Sequence, residues 1–567
     1  MQSVLLALAF IIIVVAVSLG EKRQWISFAS SDVQAIDTSP RQRASYFIKG
    51  VAISMVILRL IFSFSNLSER PFNVDEVRGL YRLAGYQESE IVAKHFQGEI
   101  LNVKQLKIYQ QLSPERGWNS VFNALSRNPE HPPLYSILAR GVMSIWNDAI
   151  AARILAILLG VATLPLAYLL CLELFNSPSA GWVTVALLSI SPYQILLGLG
   201  LRSYSLWTLA ILASGVALLK AVKSGTVMAW FLYGISVCIG LYSHLFFIFL
   251  IIAQGLYILF TEWQDRGDRI IGGLAASIFG LILFSPWIWV AISQLDRIED
   301  NTRWVRGRPS SFISIFRATI ENIGNNFVNS WQIYSGQSIV SRFLVLGIAL
   351  SLYFLLRQNS IRVWGFLILP ILVTLAGLTT PDLLQGGGRS LQSRYLVQAL
   401  LPMTFALSIC LANITHRARY IWERLFGSLV LSILILAGVL SGFNITRYPG
   451  WDYLEHGSVV SPVNFEVAPI IRASKKPFIL SDSPHNFVLS LSHQIPEKSK
   501  LQLFEHAQIN KFNEFVSLEI MARNHHDLFL YFPSEELKAF VDEQPDFQLS
   551  ELSENLPVFK IQHQSGN

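Results

Sequence analysis

Two adjacent carboxylates, Asp75 and Glu76, lie in segment 70–76, which reads RPFNVDE and directly follows an apolar run. A carboxylate at such a position can act as a general base, or it can orient the hydroxyl group of an acceptor. The alternative is structural, with Asp75 as the N-cap of a helix that starts at Glu76, because aspartate is a favoured capping residue. The pair is therefore a candidate catalytic site.

A second motif, NPEHPPLY, occupies residues 128–135, shortly before another apolar run. Two consecutive prolines remove two backbone donors and favour an extended chain. The motif therefore predicts at least a rigid elbow that returns the chain to the next element. His131 adds a hydrogen-bonding side chain at this point, and we predict that it binds substrate.

Further candidates interrupt apolar sequence. Arg202 and Tyr204 follow the Ser191-Pro192-Tyr193 motif, His244 divides two apolar runs, and Arg394-Tyr395 begins another run after a glycine-rich loop that contains Arg389. Ionisable residues in or beside membrane spans are functional candidates by default. The alternatives are that the arginines extend to the membrane interface and that His244 has only a structural hydrogen bond.

The composition shows which elements must position these residues. In this chain of 567 residues, 52% are apolar and only 14% are charged, and the mean hydropathy is +0.44. These values exclude an ordinary soluble enzyme, a secreted disulfide scaffold and a disordered chain. The three cysteines lie inside apolar runs, which indicates packing rather than a redox or zinc site.

Apolar stretches of about 18 residues or more can cross a bilayer as helices, and we predict about twelve of them. They are residues 4–20, 47–65, 150–172, 180–199, 203–221, 227–243, 245–261, 270–292, 339–356, 363–380, 395–414 and 425–443. Lysines and arginines recur in alternate short loops, which places those loops in the cytoplasm. Segments 66–148, 293–338 and 381–393 then lie outside, in a periplasm or its equivalent.

The tail from Trp451 onward has 16 acidic and 9 basic residues, whereas the rest of the chain is strongly basic. Short apolar runs at 477–480, 500–504 and 527–532 predict strands, and 511–522 and 534–543 predict helices. We therefore predict a mainly α polytopic membrane domain over 1–445, with its catalytic loop at 66–148. A small accessory α/β domain over 446–567 is predicted on the outer side.

This topology brings all the candidate side chains to one face of the membrane. Arginine pairs with phosphate through a planar fork and stays charged. Carboxylates and arginines that converge at one surface therefore suit a transfer reaction on a phosphate-bearing lipid.

The motifs and their order resemble those of the GT-C glycosyltransferases, the superfamily of protein mannosyltransferases and ArnT-like transferases. The similarity extends over about residues 45–445. It rests on the acidic pair, on His-Pro-Pro-Leu-Tyr, on the proline followed by Arg-x-Tyr, and on the many predicted spans. It implies the GT-C fold and a catalytic Asp75, with Glu76 beside it. It also implies a polyprenyl-phosphate sugar donor surrounded by Arg202, Tyr204 and Arg394, and we add His131, His244, Arg389 and Tyr395 to the predicted binding residues.

The implied activity is an inverting transfer of a hexosyl or pentosyl group from the lipid donor to a lipid, glycan or protein acceptor at the outer face of a bacterial inner membrane. No nucleic acid partner is expected. No cofactor is required by the sequence, although Mg²⁺ or Mn²⁺ is compatible with carboxylates and phosphate. Two alternatives remain open: a transporter or flippase of lipid-linked sugars, and a non-catalytic subunit of polysaccharide assembly. A transporter would place charges near mid-membrane, where Arg59 is a main exception in otherwise uncharged spans.

Overall fold

The computed structural model describes residues 40–263, 267–303, 311–328, 337–448, 460–505, 512, 516–524, 527–553 and 556–563. Among the described residues up to 448, most are helical and one segment is a strand. In chain order the elements are α1 (Pro40–Phe64), α2 (Val74–Ala84), α3 (Glu88–His95), β1 (Gln97–Asn102), α4 (Val103–Lys107), α5 (Trp118–Ser126), α6 (Leu134–Met143), α7 (Ala149–Phe175), α8 (Pro178–Ile190), α9 (Pro192–Leu199), α10 (Tyr204–Ser224), α11 (Val227–Ser243), α12 (Phe247–Glu262), α13 (Gly267–Ile292), α14 (Leu295–Asn301), α15 (Phe312–Asn325), α16 (Gln337–Gln358), α17 (Ile361–Gln385), α18 (Val397–Arg417) and α19 (Ile421–Arg447).

Eight of these helices are long and apolar enough to cross a membrane, counted over the described residues: α1, α7, α10, α13, α16, α17, α18 and α19. The bent pair α8 and α9 makes a ninth if it is one span, while α6, α11 and α12 are apolar but shorter. The chain is a multi-pass membrane protein. The predicted count of about twelve spans is not confirmed: stretch 4–20 lies outside the described residues, and 227–243 and 245–261 form helices of only 17 and 16 residues.

The predicted span 180–199 is broken at Ser191, where α8 and α9 meet at 59°. Pro192 starts α9 and cannot donate a backbone hydrogen bond, so the break leaves carbonyl groups without helical partners. Arg59 of α1 contacts both sides of the break: its Nη1 donates to the Leu188 carbonyl, which has no donor from Pro192, and its Nη2 donates to the Gln194 carbonyl, both at 3.0 Å. The arginine that interrupts the first described span therefore supports the bend.

The tail contains α20 (Val460–Ala473), β2 (Pro477–Ser481), α21 (His485–Ser492), β3 (Lys500–Phe504), α22 (Leu518–Asn524), β4 (Asp527–Tyr531), α23 (Glu535–Asp542), β5 (Phe547–Glu551) and β6 (Val558–His563). The strands predicted at 477–480, 500–504 and 527–532 and the helix at 534–543 are present. Part of the predicted helix at 511–522 lies outside the described residues, and α22 covers its end.

These strands form a six-stranded sheet in the order β1, β3, β2, β4, β6 and β5. β2 is parallel to β3 and β4, whereas the outer pairings are antiparallel. The edge strand β1 comes from the first predicted outer segment and pairs with β3, with Gln97 opposite Phe504 and Asn102 opposite Lys500. The sheet is therefore built from two distant parts of the sequence.

One hydrophobic core joins the tail to α2, the helix that carries the acidic pair. It includes Leu80 and Leu83 of α2 together with Leu489 of α21 and Leu501 of β3. The Ser490 hydroxyl also donates to the Phe72 carbonyl just before α2. A division of the chain at residue 445 stays a prediction, but the tail packs directly against the helix that carries the candidate catalytic residues.

Candidate active site

The helix α2 begins where the sequence supplies a capping box. Asn73 is the N-cap: its side chain accepts from the Glu76 backbone N–H at 2.8 Å, and Glu76 Oε2 accepts from the Asn73 N–H at 2.9 Å. Gly85 ends the helix in the left-handed conformation, at φ 91°. The alternative role of Asp75 as N-cap is therefore wrong. Asp75 lies in the first turn, where the helix dipole favours a negative charge.

Asp75 is surrounded by three guanidinium groups. Its Oδ2 lies 3.4 Å from Arg202 Nη2 and 3.3 Å from Arg394 Nη1, and its Oδ1 lies 3.7 Å from Arg78 Nη1. Arg202 also donates from Nη1 to the Asp75 carbonyl at 3.3 Å. The structure thus brings together three predicted site residues that are distant in the sequence. Arg202 is 127 positions from Asp75, and Arg394 is 319 positions from it.

These arginines control the ionisation of Asp75. Burial alone would raise the pKa of its carboxyl group, but Arg202, then Arg394 and Arg78, outweigh burial and hold the pKa well below its usual range. The Asp75 side chain remains 17% exposed. An ionised carboxylate is therefore accessible at the edge of the site at neutral pH.

Glu76 has different surroundings. The guanidinium of Arg153 donates two hydrogen bonds to its carboxylate, from Nε to Oε1 at 2.8 Å and from Nη2 to Oε2 at 2.7 Å. The side chains are 3% and 0% exposed. Burial alone would raise the pKa of Glu76, whereas Arg153 and backbone N–H groups hold it lower. Both carboxylate oxygens of Glu76 therefore accept hydrogen bonds from protein groups.

The same carboxylate fixes the loop that carries Arg202. Glu76 Oε1 accepts a hydrogen bond from the Leu201 backbone N–H at 2.9 Å, while Arg153 donates to the Arg70 and Pro71 carbonyls at 2.8 and 2.9 Å. One buried ion pair thus holds α2, α7 and the connection between α9 and α10 in register. We infer that Glu76, predicted to be catalytic, positions its neighbours.

Aromatic rings line the side of Arg202 and Arg394 that faces α10 and α12. His244 stacks on Trp207 with ring centroids 4.0 Å apart, and Tyr204 and Tyr395 each lie 6.0 Å from it. The His244 Nδ1 accepts from the Phe246 N–H at 3.2 Å, which places the proton of the neutral ring on Nε2. Three predicted binding residues therefore form one aromatic wall.

His131 and Arg389 lie on loops. His131 is on the loop before α6, close enough to Asp75 and Arg202 to interact electrostatically with both. Trp287 anchors that loop through a 3.0 Å hydrogen bond to the Pro129 carbonyl. Arg389 instead pairs with the buried Asp382 at 3.0 Å, and Ser390 donates to the same carboxylate from its backbone N–H and its hydroxyl. In the part of the chain that the structure describes, the ion-pair partner of Arg389 is Asp382 and not Asp75.

Three arginines were not among the predicted site residues. Arg78 and Arg82 follow Asp75 on the same face of α2, at i+3 and i+7, a spacing that the sequence contains. Arg153 lies near the start of the span α7. An ionisable residue within a span is a functional candidate by default, and this rule could have identified it. Its partner Glu76 is 77 positions away and cannot be identified from spacing alone.

Among the described residues there is no group of three or more His, Cys, Asp or Glu side chains that could hold a metal ion. The carboxylate of Asp75 is surrounded by cations, and like charges repel a divalent ion strongly in a partly buried site. The donor set around Asp75 thus fits Mg²⁺ or Mn²⁺ poorly.

A family model of dolichyl-phosphate-mannose-protein mannosyltransferases matches residues 130–289, a segment that includes His131, Arg202 and His244. No curated protein matches the sequence. The crystal structure of ArnT from Cupriavidus metallidurans bound to undecaprenyl phosphate is similar to this chain, with a TM-score of 0.51 and 13% identity over 90% of this chain and 98% of that one.

The apo structure of the same ArnT gives a TM-score of 0.51 and 12% identity over 90% of this chain and 97% of that one. The oligosaccharyltransferase of Archaeoglobus fulgidus gives a TM-score of 0.42 and 11% identity over 85% of this chain and 68% of that one. The resemblance predicted from the motifs is confirmed: the chain has the fold of the GT-C membrane glycosyltransferases.

Proposed function

We propose that this protein is an integral membrane glycosyltransferase that moves a sugar from a polyprenyl-phosphate donor to an acceptor at the outer face of the membrane. The observation that carries the proposal is the position of Asp75, whose carboxylate lies within 3.4 Å of both Arg202 and Arg394. A proton acceptor and two phosphate-binding groups are thereby adjacent. ArnT, which has the same fold, was crystallised with undecaprenyl phosphate, and this supports the class of donor.

The reaction is a displacement at the anomeric carbon. The acceptor O–H or N–H gives its proton to Asp75, and the acceptor atom forms a bond to the anomeric carbon. The bond between that carbon and the phosphate oxygen breaks, and its electron pair stays on the phosphate. Attack from the face opposite the leaving phosphate inverts the configuration. The products are the glycosylated acceptor and polyprenyl phosphate.

Charge develops on the phosphate as that bond breaks. Arg202 and Arg394 are 15% and 7% exposed, so they act in a site with little water, where such stabilisation is strongest. The donor phosphate also offsets part of the positive charge around Asp75. Its arrival therefore makes Asp75 a stronger base at the time when the acceptor must lose a proton.

The test is a reaction of the purified full-length protein with defined undecaprenyl-phosphate sugars and with acceptor fractions extracted from membranes. We expect release of undecaprenyl phosphate that depends on both donor and acceptor. A transporter would instead move the labelled donor across a liposome bilayer without cleaving it. Movement without cleavage would contradict the proposal.

A further inference from the structure

Arg78 and Arg82 of α2 are not among the arginines that we propose to bind the donor phosphate. Arg78 and Arg82 lie on the partly exposed face of the helix, one and two turns beyond Asp75. The Arg78 side chain is 40% exposed, and its contact with Asp75 is long, at 3.7 Å. Arg82 makes no ion pair within the described ranges, and its guanidinium lies 5.7 Å from the ring of Tyr81.

These two arginines are separate from the pair that faces the donor. Arg202 and Arg394 come from the ends of membrane helices and are at most 15% exposed. Arg78 and Arg82 extend along α2, away from the start of the helix and toward the tail. At about 1.5 Å of rise per residue, they lie about 4.5 and 10 Å from Asp75 along the helix axis.

The tail contributes a further polar group beside this face. His485 begins α21 and packs on Tyr81, with ring centroids 5.9 Å apart. The His485 side chain is 5% exposed, and its Nδ1 lies 3.4 Å from Glu88 Oε1. Its Nε2 is buried without a hydrogen-bond partner among the described residues. A buried polar atom of this kind loses free energy unless a ligand or water satisfies it.

Arg78 and Arg82 both act on His485 electrostatically. Burial lowers the pKa of His485 to about 4, the Glu88 carboxylate opposes this effect, and the two arginines add to it. The ring is therefore neutral at pH 7 and lies within the field of both guanidinium groups. Two cations and one unsatisfied ring nitrogen are thus placed at the junction between α2 and the tail.

We propose that Arg78 and Arg82 bind an anionic group of the acceptor, which is an acidic saccharide carrying a phosphate or carboxylate about 5–10 Å from the hydroxyl that Asp75 receives. The Nδ1 of His485 faces the Glu88 carboxylate and carries the proton of the neutral ring, so its Nε2 accepts a hydrogen bond from a hydroxyl of the same saccharide. This inference rests on the proposed function and names the class of its acceptor. The tail, predicted to be accessory, then takes part in choosing the substrate.

The experiment uses the full-length protein in neutral detergent with undecaprenyl phosphate bound, so that the donor arginines are occupied. Binding of glucose 6-phosphate, glucuronate and glucose is measured by saturation-transfer NMR. We expect both anionic sugars to bind at least about tenfold more tightly than glucose. In the double variant Arg78→Gln/Arg82→Gln this preference should disappear, while Arg78→Lys/Arg82→Lys should retain part of it because the charge remains.

Lys94→Gln is the matched control, because it removes one exposed positive charge from α3 in the same outer segment. It should leave the preference unchanged. Equal binding of glucose, or an unchanged preference in the double glutamine variant, would overturn the inference. A preference that Lys94→Gln also abolishes would do the same, because it would indicate general surface charge.

A membrane lipid is the other source of an anionic group. In nanodiscs of phosphatidylcholine the sugar preference should persist, and adding phosphatidylglycerol should not compete with it. Competition by phosphatidylglycerol would mean that a lipid headgroup occupies the site, and would overturn the acceptor assignment. Binding of undecaprenyl phosphate is measured separately: its failure in the wild type would contradict the proposed function and leave the anion site standing.

Discussion

Glu76 and Arg153 form a buried, doubly hydrogen-bonded ion pair one residue from Asp75. The adjacent carboxylates therefore have opposite surroundings: Asp75 is 17% exposed at the edge of the site, and Glu76 is enclosed. The difference follows from the helix, because successive side chains point about 100° apart. One faces the membrane arginines and the other faces α7.

Removal of the Asp75 carboxylate should stop transfer. Asp75→Asn keeps the size of the side chain but cannot accept the proton, so we expect the initial rate with a defined undecaprenyl-phosphate sugar to fall about 10²- to 10⁴-fold. Donor binding should persist, since both arginines remain. Near-normal turnover in a well-folded Asp75→Asn protein would contradict a catalytic role.

The two donor arginines should depend on geometry as well as charge. Arg202→Ala should reduce turnover by about 10²- to 10³-fold, and Arg202→Lys should also reduce it, because lysine lacks the planar fork. Arg394 should behave similarly, and the double variant should lose less than the product of the two single losses. Arg116→Ala is the control, since Arg116 pairs with Glu90 on the outer segment. Strictly independent losses would show that the arginines do not share one phosphate.

Breaking the buried pair should affect stability. Glu76→Gln leaves the Arg153 charge without its partner, and we expect it to lower the free energy of unfolding by about 3–5 kcal/mol. The partly exposed pair of Arg116 and Glu90 offers a comparison: Glu90→Gln should cost about 0–1 kcal/mol. Thermal unfolding in detergent measures both. An equal effect of the two substitutions would contradict the structural role of Glu76.

The loss of activity at acid pH should depend on the arginines around Asp75. The ionised carboxylate is the active form, so activity is present above the Asp75 pKa and lost as pH falls through it. Because the arginines lower that pKa, this loss should occur below the ordinary carboxyl range. Arg394→Met should move it upward, because Arg202 and Arg78 then lower the pKa with less help, whereas Arg116→Met should leave it unchanged. If the pH at which activity is lost does not change in Arg394→Met, the loss is due to the protonation of a group other than Asp75.

The predicted orientation can be tested with single cysteines in a background without the native ones. Cysteines at Glu99 and Glu535, both exposed, should react with a membrane-impermeant thiol reagent applied to intact spheroplasts, and one at the exposed Arg419 should not. Permeabilised cells should label at all three positions. Labelling of only the cysteine at 419 in intact cells would place the site on the other face.

Topology was enough to predict that Asp75, Arg202 and Arg394 meet, because loops at one face of a bundle lie close together. It could not show that Asp75 and Glu76 differ, since that depends on Arg153, 77 positions away. It also could not show that Arg389 pairs with Asp382. Apolar length alone could not show that α11 and α12, on either side of His244, are helices of only 17 and 16 residues.

The strand β1 has a consequence for the order in which the protein acquires activity. It is synthesised about 400 residues before β3, its only neighbour in the sheet among the described strands. Until the tail has been made and folded, β1 has no strand to pair with and the core around α2 lacks its outer half. A growing chain can therefore insert its helices while the face that carries Asp75 is still incomplete. We therefore expect the surroundings of Asp75 to be complete only after β3 has been made, when the helices up to α19 have already been synthesised.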